Sequence, residues 1–574
     1  MQTIKNTIDF LLKEKVRIIS ILFIIVFFSL SSFLDFTSLW SVVGDMQDVT
    51  NKILPLVVLS ILTTLLLQQK LHYTVSHVIS KVQPHLLLPA AFFFSVIAIG
   101  LLSHYVFQDY YIIPTDENSY LFQAKIFAQG RLFAEPHPLR EFFEAVNIVT
   151  TPSKVFGKYP PGHALFLMWG VLIGYPRLIP LLISSLTLLV IFFLAKEAYD
   201  TKTAKVSVIF ALFSPAYLFT SSTLLSQTTS LFLISLGCLF FIKTLKSGRY
   251  YFPFISGACL GLAFNTRPLN TIALSIPFSV YLFCLLIKYK RAYLKKFLLF
   301  SFALLIFFGI FLSYNHALTG DAFLMPFQMW GNEHLVRDSY GFGTHGDYTH
   351  DFDKGFTNTR LNLRRLNEWL FGWPCSLLFI CALFFFYPLN KWDYIFFSGF
   401  LLLVIAYLFW WWAGEVLGSL YYYDSLVFLV VLSARGFIKL TECIDGKKYA
   451  MGRTGVMIFT IILFLFSLVN FFPAKIEETY NMVSAFKTPA FEIKKNNVHN
   501  AIVFITFVEG GWFKNRFYIH NSPELLDDIL FARNLGKKNK LLMNYYPDRN
   551  YYIYSVNKDE LQKGKLLRIK NKSS

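Results

Sequence analysis

Two carboxylates lie directly after an apolar run that is long enough to cross a lipid bilayer. Asp116 and Glu117 fall in the stretch 114–120, which follows the apolar residues 86–107. A carboxylate is costly inside hydrocarbon, so an acidic pair at a membrane edge is typical of a functional site. A carboxylate in this position could act as a general base that takes a proton from a hydroxyl or an amine.

Two basic residues complete the set of groups that could do chemistry. Lys158 follows in the same loop, within 157–163, and Arg267 lies between two short apolar runs. Lysine and arginine that converge on one point suit a phosphate, because arginine binds it with forked hydrogen bonds and lysine as a point charge. The residues therefore predict a site for a charged lipid at the membrane edge.

Each of these residues also has a simpler interpretation. The acidic pair could be a helix cap, Lys158 an interfacial lysine whose stem lies along apolar surface, and Arg267 a topology anchor. The functional interpretation depends on all of them facing the same side of the membrane.

A third cluster could bind a divalent cation. His345, Asp347 and His350 lie within the loop 315–368, and histidine and aspartate at this density suit a metal ion. Their spacing matches no defined ligand pattern. We therefore expect a polar, glycine-rich loop that covers the site and no cofactor, with a metal site as the alternative.

The composition shows which elements must position these groups. The chain has 574 residues, of which 55% are hydrophobic and 15% charged, and its mean hydropathy is +0.49. Its apolar runs are continuous for about 17–23 residues, which predicts membrane helices and excludes a β-barrel. The net charge of +18 falls mainly in short loops, as the positive-inside rule predicts, and we expect no nucleic-acid partner.

These runs predict an all-α polytopic membrane protein with about 13 transmembrane helices. The predicted spans lie near 17–34, 52–68, 86–107, 178–195, 204–221, 226–245, 252–266, 269–288, 294–314, 369–388, 394–412, 420–440 and 455–473. The distribution of lysine and arginine places loops 108–177 and 315–368 and the C-terminal region outside. Residues 163–175 are short and are expected at the interface. Trp410–Trp412 and Tyr421–Tyr423 favour an aromatic interfacial belt over a sugar- or lipid-stacking surface.

The chain divides into four predicted regions. Residues 1–85 form a two-helix extension, 86–320 a core with the first outer loop 108–177, 321–473 the remaining outer loop and helices, and 474–574 an extracytoplasmic domain. In the last region, 501–507 and 551–556 read as strands and Glu524 to Phe531 as a short helix. We therefore expect a small α/β or α+β domain there.

Several short motifs carry a family resemblance. The acidic pair and the Lys-x-Pro-Pro-Gly-His segment are joined by YLFQAK at 120–125, GRL at 130–132, Ser214-Pro215 and GLAFNTRP at 261–268. Together they resemble the GT-C superfamily of integral-membrane glycosyltransferases. The similarity is strongest to the branch of protein O-mannosyltransferase-like enzymes and lipid A aminoarabinose transferases. It implies a GT-C-like fold, a polyprenyl-phosphate sugar donor used at the outer face, and inversion at the anomeric carbon.

The resemblance also implies roles for individual residues. Asp116 resembles the catalytic base of the family, with Glu117 beside it, and Lys158 and Arg267 resemble the residues that hold the lipid-linked phosphate. The residues expected to support substrate binding are Tyr120, Tyr159 and His163. Many relatives carry a second acidic residue after the fifth span, but 226–229 reads Ser-Gln-Thr-Thr. This branch does not generally need a metal.

The expected function is therefore transfer of a sugar from a polyprenyl-phosphate donor to an extracytoplasmic acceptor, which could be a lipid, a glycan or a protein. The expected location is a bacterial plasma membrane, with membrane lipids as further partners. A polysaccharide polymerase or ligase stays open because the second outer loop is rich in arginine: Arg337, Arg360, Arg364 and Arg365. A lipid-linked sugar transporter and a non-catalytic scaffold are further alternatives. The sequence shows none of the inverted repeats typical of many transporters.

Overall fold

A computed structural model describes residues 55–60, 63, 83–333, 340–345, 348–414, 416–443, 450–506, 521–557 and 560–569. The predicted span at 17–34 and most of that at 52–68 lie outside the described residues, so the two-helix extension 1–85 stays a prediction. Asp347 and the side chain of His345 also lie outside them.

The first half of the described chain alternates long membrane helices with short elements. Its helices are α1 Pro84–Leu101, α2 Pro114–Ala128, α3 Pro161–Ile173, α4 Leu178–Ala198, α5 Thr201–Leu212, α6 Pro215–Ser221, α7 Gln227–Lys246, α8 Tyr251–Phe264, α9 Pro268–Tyr289 and α10 Arg291–Thr319. A π-helical turn, Leu102–Val106, extends α1. Strands β1 Ile148–Thr150 and β2 Val155–Gly157 form an antiparallel hairpin between α2 and α3.

The second half adds further helices and two sheets. Its helices are α11 Pro326–Glu333, α12 Phe352–Trp369, α13 Leu378–Phe386, α14 Lys391–Leu408, α15 Leu426–Cys443, α16 Ala450–Phe466, α17 Phe472–Lys495 and α18 Asn539–Tyr545. Strands β3 Gly343–His345 and β4 Tyr348–His350 form a hairpin. The last four strands are β5 Ala501–Thr506, β6 Ile529–Arg533, β7 Asn550–Asn557 and β8 Glu560–Arg568.

The chain is a polytopic membrane protein. Among the described residues, seven helices are long and apolar enough to cross a membrane, or eight if α5 and α6 form one span. These two helices meet at an angle of 59°, and the Ser214-Pro215 pair lies at the bend. Because proline cannot donate a backbone hydrogen bond, it begins a new helix there. The predicted total of about 13 spans stays a prediction.

Two predicted segments differ in the structure. The span expected at 369–388 contains only the nine-residue helix α13. Gly372, with a φ of +69°, interrupts the helical conformation before α13 begins. Glu524 to Phe531 is not a helix: residues from Ile529 onward form β6, which pairs in parallel with β5. Pairing with the buried strand β5 overrides the local helical pattern there.

The C-terminal domain is a four-stranded mixed sheet in the order β6-β5-β7-β8. The first three strands are parallel and β8 is antiparallel to β7. Residues 501–505 are fully buried, as expected for a central parallel strand that is covered on both faces. The predicted strands near 501–507 and 551–556 are confirmed over the described residues, as Ala501–Thr506 and Asn550–Asn557, while the bounds of the predicted domain stay a prediction.

The loop 108–177, which is the predicted first outer loop, docks into this C-terminal domain. Phe142 is completely buried and lies among apolar residues of the sheet, with its ring 6.4 Å from that of Phe504. Charged pairs surround the contact: Arg533 with Glu144 at 2.6 Å and Lys538 with Glu141 at 2.9 Å. Loop 108–177 is thereby held between the membrane helices and the C-terminal domain.

Candidate active site

The acidic pair occupies the first turn of α2. Pro114 stands at the start of this helix, where a missing N–H costs nothing, and carboxylates in the first turn are stabilised by the helix dipole. Asp116 and Glu117 point into different surroundings. Asp116 is half-buried, and Asn147 Nδ2 donates a hydrogen bond to its Oδ1 at 2.6 Å.

Glu117 joins α2 to the rest of the protein. It is completely buried, and its Oε2 accepts hydrogen bonds from the backbone N–H of Ile112 at 2.8 Å and of Ile113 at 3.0 Å. Its Oε1 accepts one from Leu224 N at 2.8 Å. Burial raises the pKa of Glu117, and the nearby charge of Arg177 opposes this effect. Because both oxygens bind backbone groups, Glu117 fixes the position of α2.

Lys158 is a buried lysine surrounded by aromatic rings. It is 4% exposed, and its Nζ lies 3.9 Å from the ring centre of Trp330, 4.7 Å from that of Phe327 and 5.3 Å from that of Tyr159. A cation above aromatic faces is stabilised by the ring quadrupole. An ammonium group held in this low-dielectric pocket would interact strongly with a bound anion.

Tyr120, Tyr159 and His163 form one packed group beside the acidic pair. Tyr120 stacks on Tyr159 with ring centres 4.6 Å apart and meets His163 edge-on at 5.0 Å. Burial raises the pKa of Tyr120, with Arg267 lowering it and Asp116 raising it through their charges. Tyr120 therefore lies within electrostatic range of both residues.

His163 and Tyr120 are anchored by residues 226–229, the stretch that carries no acidic residue here although many members of the resembled family have one after the fifth span. The Tyr120 hydroxyl and Ser226 Oγ are 2.9 Å apart, and His163 Nδ1 lies 2.8 Å from Thr229 Oγ1. Burial lowers the pKa of His163 to about 4. Uncharged hydroxyls therefore occupy 226 and 229, and both bind predicted site residues.

The segments that carry Lys158 and Arg267 are in direct backbone contact. Gly162 N donates a hydrogen bond to Asn265 O at 2.8 Å. A Cβ atom at position 162 would lie 2.8 Å from that same carbonyl oxygen and would collide with Thr266. Glycine at 162 therefore permits the close approach that brings the Lys-x-Pro-Pro-Gly-His segment against the turn before α9.

Arg267 is held by an aspartate from a distant part of the chain. Its Nε lies 3.0 Å from Asp424 Oδ2, and the two side chains are 13% and 0% exposed. Its Nη2 donates a longer hydrogen bond to the Tyr407 hydroxyl, at 3.4 Å. Arg267 thus lies at the site with its charge balanced by Asp424.

Aromatic side chains of the second half form a wall beside Arg267. Tyr407 stacks on Tyr421 with ring centres 4.5 Å apart, and Trp410 Nε1 donates to the Tyr421 hydroxyl at 3.0 Å. Tyr422 and Tyr423 are only 0% and 3% exposed, so the prediction of an interfacial belt is wrong for these two residues. The physical reason is that the 3-10 turn before α15 directs them into the protein core.

The candidate metal ligands are only partly described. His350 is buried, its Nε2 lies 3.3 Å from Leu408 O, and its ring packs on Phe342 at 5.4 Å. The described part of the chain contains no group of three metal-binding side chains, while Asp347 and the side chain of His345 lie outside it. Tyr340 pairs with Trp410, so this loop packs against the aromatic wall.

Three polar residues at or near the site were not predicted. Asn147 and Arg177 belong to no motif, so no local pattern identified them. Asp424 precedes the apolar run of α15 just as Asp116 follows that of α1, and its place at a membrane edge could have identified it.

Comparisons with known proteins agree with this architecture. Residues 162–315 match the family model described as dolichyl-phosphate-mannose-protein mannosyltransferase, whereas no curated protein sequence matches the chain. The fold is similar to that of ArnT from Cupriavidus metallidurans bound to undecaprenyl phosphate, with a TM-score of 0.50, 10% identity, and coverage of 83% of this chain and 93% of that one.

A weaker likeness to the apo oligosaccharyltransferase of Archaeoglobus fulgidus has a TM-score of 0.42 and 11% identity, and it covers 83% of this chain and 70% of that one. The matched residues 162–315 begin within the Lys-x-Pro-Pro-Gly-His segment and include Arg267. In sequence over this stretch and in fold over most of its length, the chain resembles the GT-C superfamily of integral-membrane glycosyltransferases, in the branch of the protein O-mannosyltransferase-like enzymes and lipid A aminoarabinose transferases.

Proposed function

We propose that the protein transfers a sugar from a polyprenyl-phosphate donor to an acceptor on the extracytoplasmic face of a bacterial plasma membrane, with inversion at the anomeric carbon. Asp116 is the general base, and Lys158 and Arg267 bind the donor phosphate. Glu117 fixes the helix that carries Asp116, and Tyr120, Tyr159 and His163 support the substrates. The acceptor is a lipid, a glycan or a protein.

The observation that carries this proposal is a chain of hydrogen bonds that joins the three functional segments. Asn147 binds the carboxylate of Asp116 through its side chain and the backbone N–H of Lys158 through its carbonyl, at 2.6 and 3.1 Å. Four residues after Lys158, Gly162 binds the carbonyl of Asn265, two residues before Arg267. These contacts bring the segments that carry Asp116, Lys158 and Arg267 together, which supports a site built from one base and two cations.

The reaction is a single displacement at the anomeric carbon. The acceptor oxygen or nitrogen forms a bond to this carbon while the bond from the carbon to the phosphate oxygen breaks. Asp116 takes the acceptor proton, and polyprenyl phosphate leaves with the bonding electrons. No further group is needed to balance the step, because the proton, the sugar and the electron pair each have a destination.

The charges of the site suit the leaving group. Asp116 and Asp424 balance Lys158 and Arg267, so the donor phosphate enters a site without net charge from these four residues. Negative charge grows on the phosphate as the bond breaks, and buried cations that already face it stabilise this charge. The aromatic rings around Lys158 exclude water and strengthen the interaction.

The comparisons support the class of donor. The ArnT structure is described as bound to undecaprenyl phosphate, and the matching family model is named for dolichyl-phosphate-mannose. Both lipids are polyprenyl phosphates, so a site for the phosphate of such a lipid is the common element. We therefore assign this class of donor to the chain, and leave the sugar open.

The test is turnover of radiolabelled polyprenyl-phosphate sugars by the purified protein with candidate acceptors. We expect release of polyprenyl phosphate by the wild type and none by Asp116→Asn. Asp109→Asn is the matched control. Asp109 follows α1 in the chain, as Asp116 does, and its φ of +53° is one that asparagine also adopts. Full activity of Asp116→Asn would remove Asp116 from its role.

The same assay separates the alternatives. Products that carry many sugar units would indicate a polysaccharide polymerase or ligase. Movement of the intact donor across a proteoliposome membrane, without release of polyprenyl phosphate, would indicate a lipid-linked sugar transporter. Absence of turnover with every donor and acceptor would contradict the proposed transferase.

A further inference from the structure

Asn147 holds a backbone conformation that few residues adopt. It stands directly before β1, is 4% exposed and has a φ of +66°. This left-handed region is strained for most side chains but tolerated by asparagine, aspartate and glycine. The conformation lets one residue turn its side chain and its carbonyl toward neighbouring elements.

Asn147 makes three hydrogen bonds to the proposed site. Its Nδ2 donates to Asp116 Oδ1 at 2.6 Å. Its carbonyl oxygen accepts from Ser119 Oγ at 2.7 Å and from Lys158 N at 3.1 Å. One residue therefore contacts the proposed base, the helix that carries the base, and the backbone of the proposed phosphate-binding lysine.

The chain just before Asn147 is clamped by the C-terminal domain. Phe142 is buried in the core of that domain, and Glu144 pairs with Arg533. Ala145 packs against a second apolar cluster of the domain, beneath β5 and β7. Because only Val146 separates Ala145 from Asn147, docking of the domain restricts where Asn147 can lie.

We propose that Asn147 is a positioning residue for the transfer reaction: it aims the carboxylate of Asp116 and keeps it in register with Lys158, and the docked C-terminal domain holds Asn147 in place. This rests on the proposed function. A hydrogen bond to one carboxylate oxygen fixes the rotation of the group and directs the other oxygen.

Two variants test the proposal without disturbing the backbone. Asn147→Gly removes the amide and retains the left-handed conformation. Asn147→Asp retains the shape and the conformation but places a second carboxylate against Asp116. We expect Asn147→Gly to lower kcat about 10- to 100-fold with little change in the KM for the donor, because misplacement of a reacting group slows chemistry without loss of the phosphate contacts.

The pH profile distinguishes positioning from a merely structural role. Two adjacent carboxylates resist simultaneous ionisation, so in Asn147→Asp the acidic limb of the kcat profile should move to higher pH. If the wild type turns over a polyprenyl-phosphate sugar and both variants match its kcat within twofold, with the same pH profile, the positioning role is contradicted while the proposed function stands. If the wild type turns over no such donor, both are contradicted.

A thermal double-mutant cycle tests the contact independently of turnover. Wild type, Asp116→Asn, Asn147→Asp and the double variant are melted at neutral pH in the same detergent. We expect Asn147→Asp to melt lower than the wild type and the double variant to recover most of that loss, because Asp116→Asn removes the repulsion. Additive effects of the two substitutions would contradict the proposed contact.

Discussion

Arg267 and Asp424 form a buried ion pair, with Arg267 Nε 3.0 Å from Asp424 Oδ2. All of the helices α9 to α14 lie between the two residues in the chain, so one belongs to its first half and the other to its second half. The aspartate is completely enclosed, and Asn270 Nδ2 also donates to it. A donor phosphate that binds Arg267 must therefore share this cation with a carboxylate that is already in place.

Asp424→Asn should destabilise the protein and increase its response to lipid phosphate. Removal of one partner leaves a buried charge without compensation, which costs about 3–5 kcal/mol. Undecaprenyl phosphate supplies the missing anion and should raise the melting temperature of the variant more than that of the wild type. Asp321→Asn, at an exposed position, is the control. Equal ligand-induced shifts in variant and wild type would remove Arg267 from the phosphate site.

Arg267→Lys should weaken donor binding while it preserves the charge opposite Asp424. Lysine keeps one point charge but loses the forked hydrogen bonds of the guanidinium group. We expect the KM for the donor to rise about tenfold, which corresponds to about 1.4 kcal/mol, and kcat to change less. The measurement is steady-state turnover over a range of donor concentrations. Arg249→Lys, an exposed arginine between α7 and α8, should behave as wild type, and an unchanged donor KM in Arg267→Lys would contradict the assignment.

His163 should make the protein acid-sensitive. Burial lowers the pKa of His163 from 6.5 to about 4. At a pH between these two values, the imidazole is therefore protonated in the unfolded chain and neutral in the folded chain. Stability should therefore fall as the pH decreases from about 6.5 toward 4, by on the order of 3 kcal/mol in total.

His163→Gln tests this, because glutamine does not titrate and can keep one of the two hydrogen bonds of His163, which join Nδ1 to Thr229 Oγ1 and Nε2 to Leu224 O. Melting temperatures measured between pH 7 and 4.5 should fall less for this variant than for the wild type. His85→Gln, at an exposed position, serves as control. Parallel curves for His163→Gln and the wild type would show that another group causes the acid sensitivity.

Phe142→Ala should release the first outer loop from the C-terminal domain. The side chain is completely buried, and truncation of a buried phenylalanine typically costs about 3–5 kcal/mol. We expect a lower melting temperature and faster proteolysis within 131–147. Phe323→Ala, at a side chain that is 76% exposed, should change stability by less than about 0.5 kcal/mol. Equal melting of the two variants would show that the docking contributes little.

The sequence specified the membrane character, identified the acidic pair 116–117, Lys158 and Arg267 by their charge, and identified Tyr120, Tyr159 and His163 through the family resemblance. Continuous apolar runs specify helices because hydrocarbon offers the backbone no other hydrogen-bond partner. Asp116, Lys158 and Arg267 were identifiable because charges at the ends of apolar runs are costly unless they serve a purpose. The Gly-His pair at 162–163 marked the segment that folds against Asn265. These signals are local, because each lies within a short stretch of the chain.

Tertiary packing sets which residues these side chains contact. Asp116 meets Asn147 across 31 positions in the chain, Arg267 meets Asp424 from another helix, and Phe142 packs among the strands of the C-terminal domain. Residues 529–531 form a strand because β5 lies beside them. Such contacts join segments that the sequence separates widely, and their energy comes from burial and from pairing in a low-dielectric interior. No local pattern encodes them, so they exist only when the whole chain has folded.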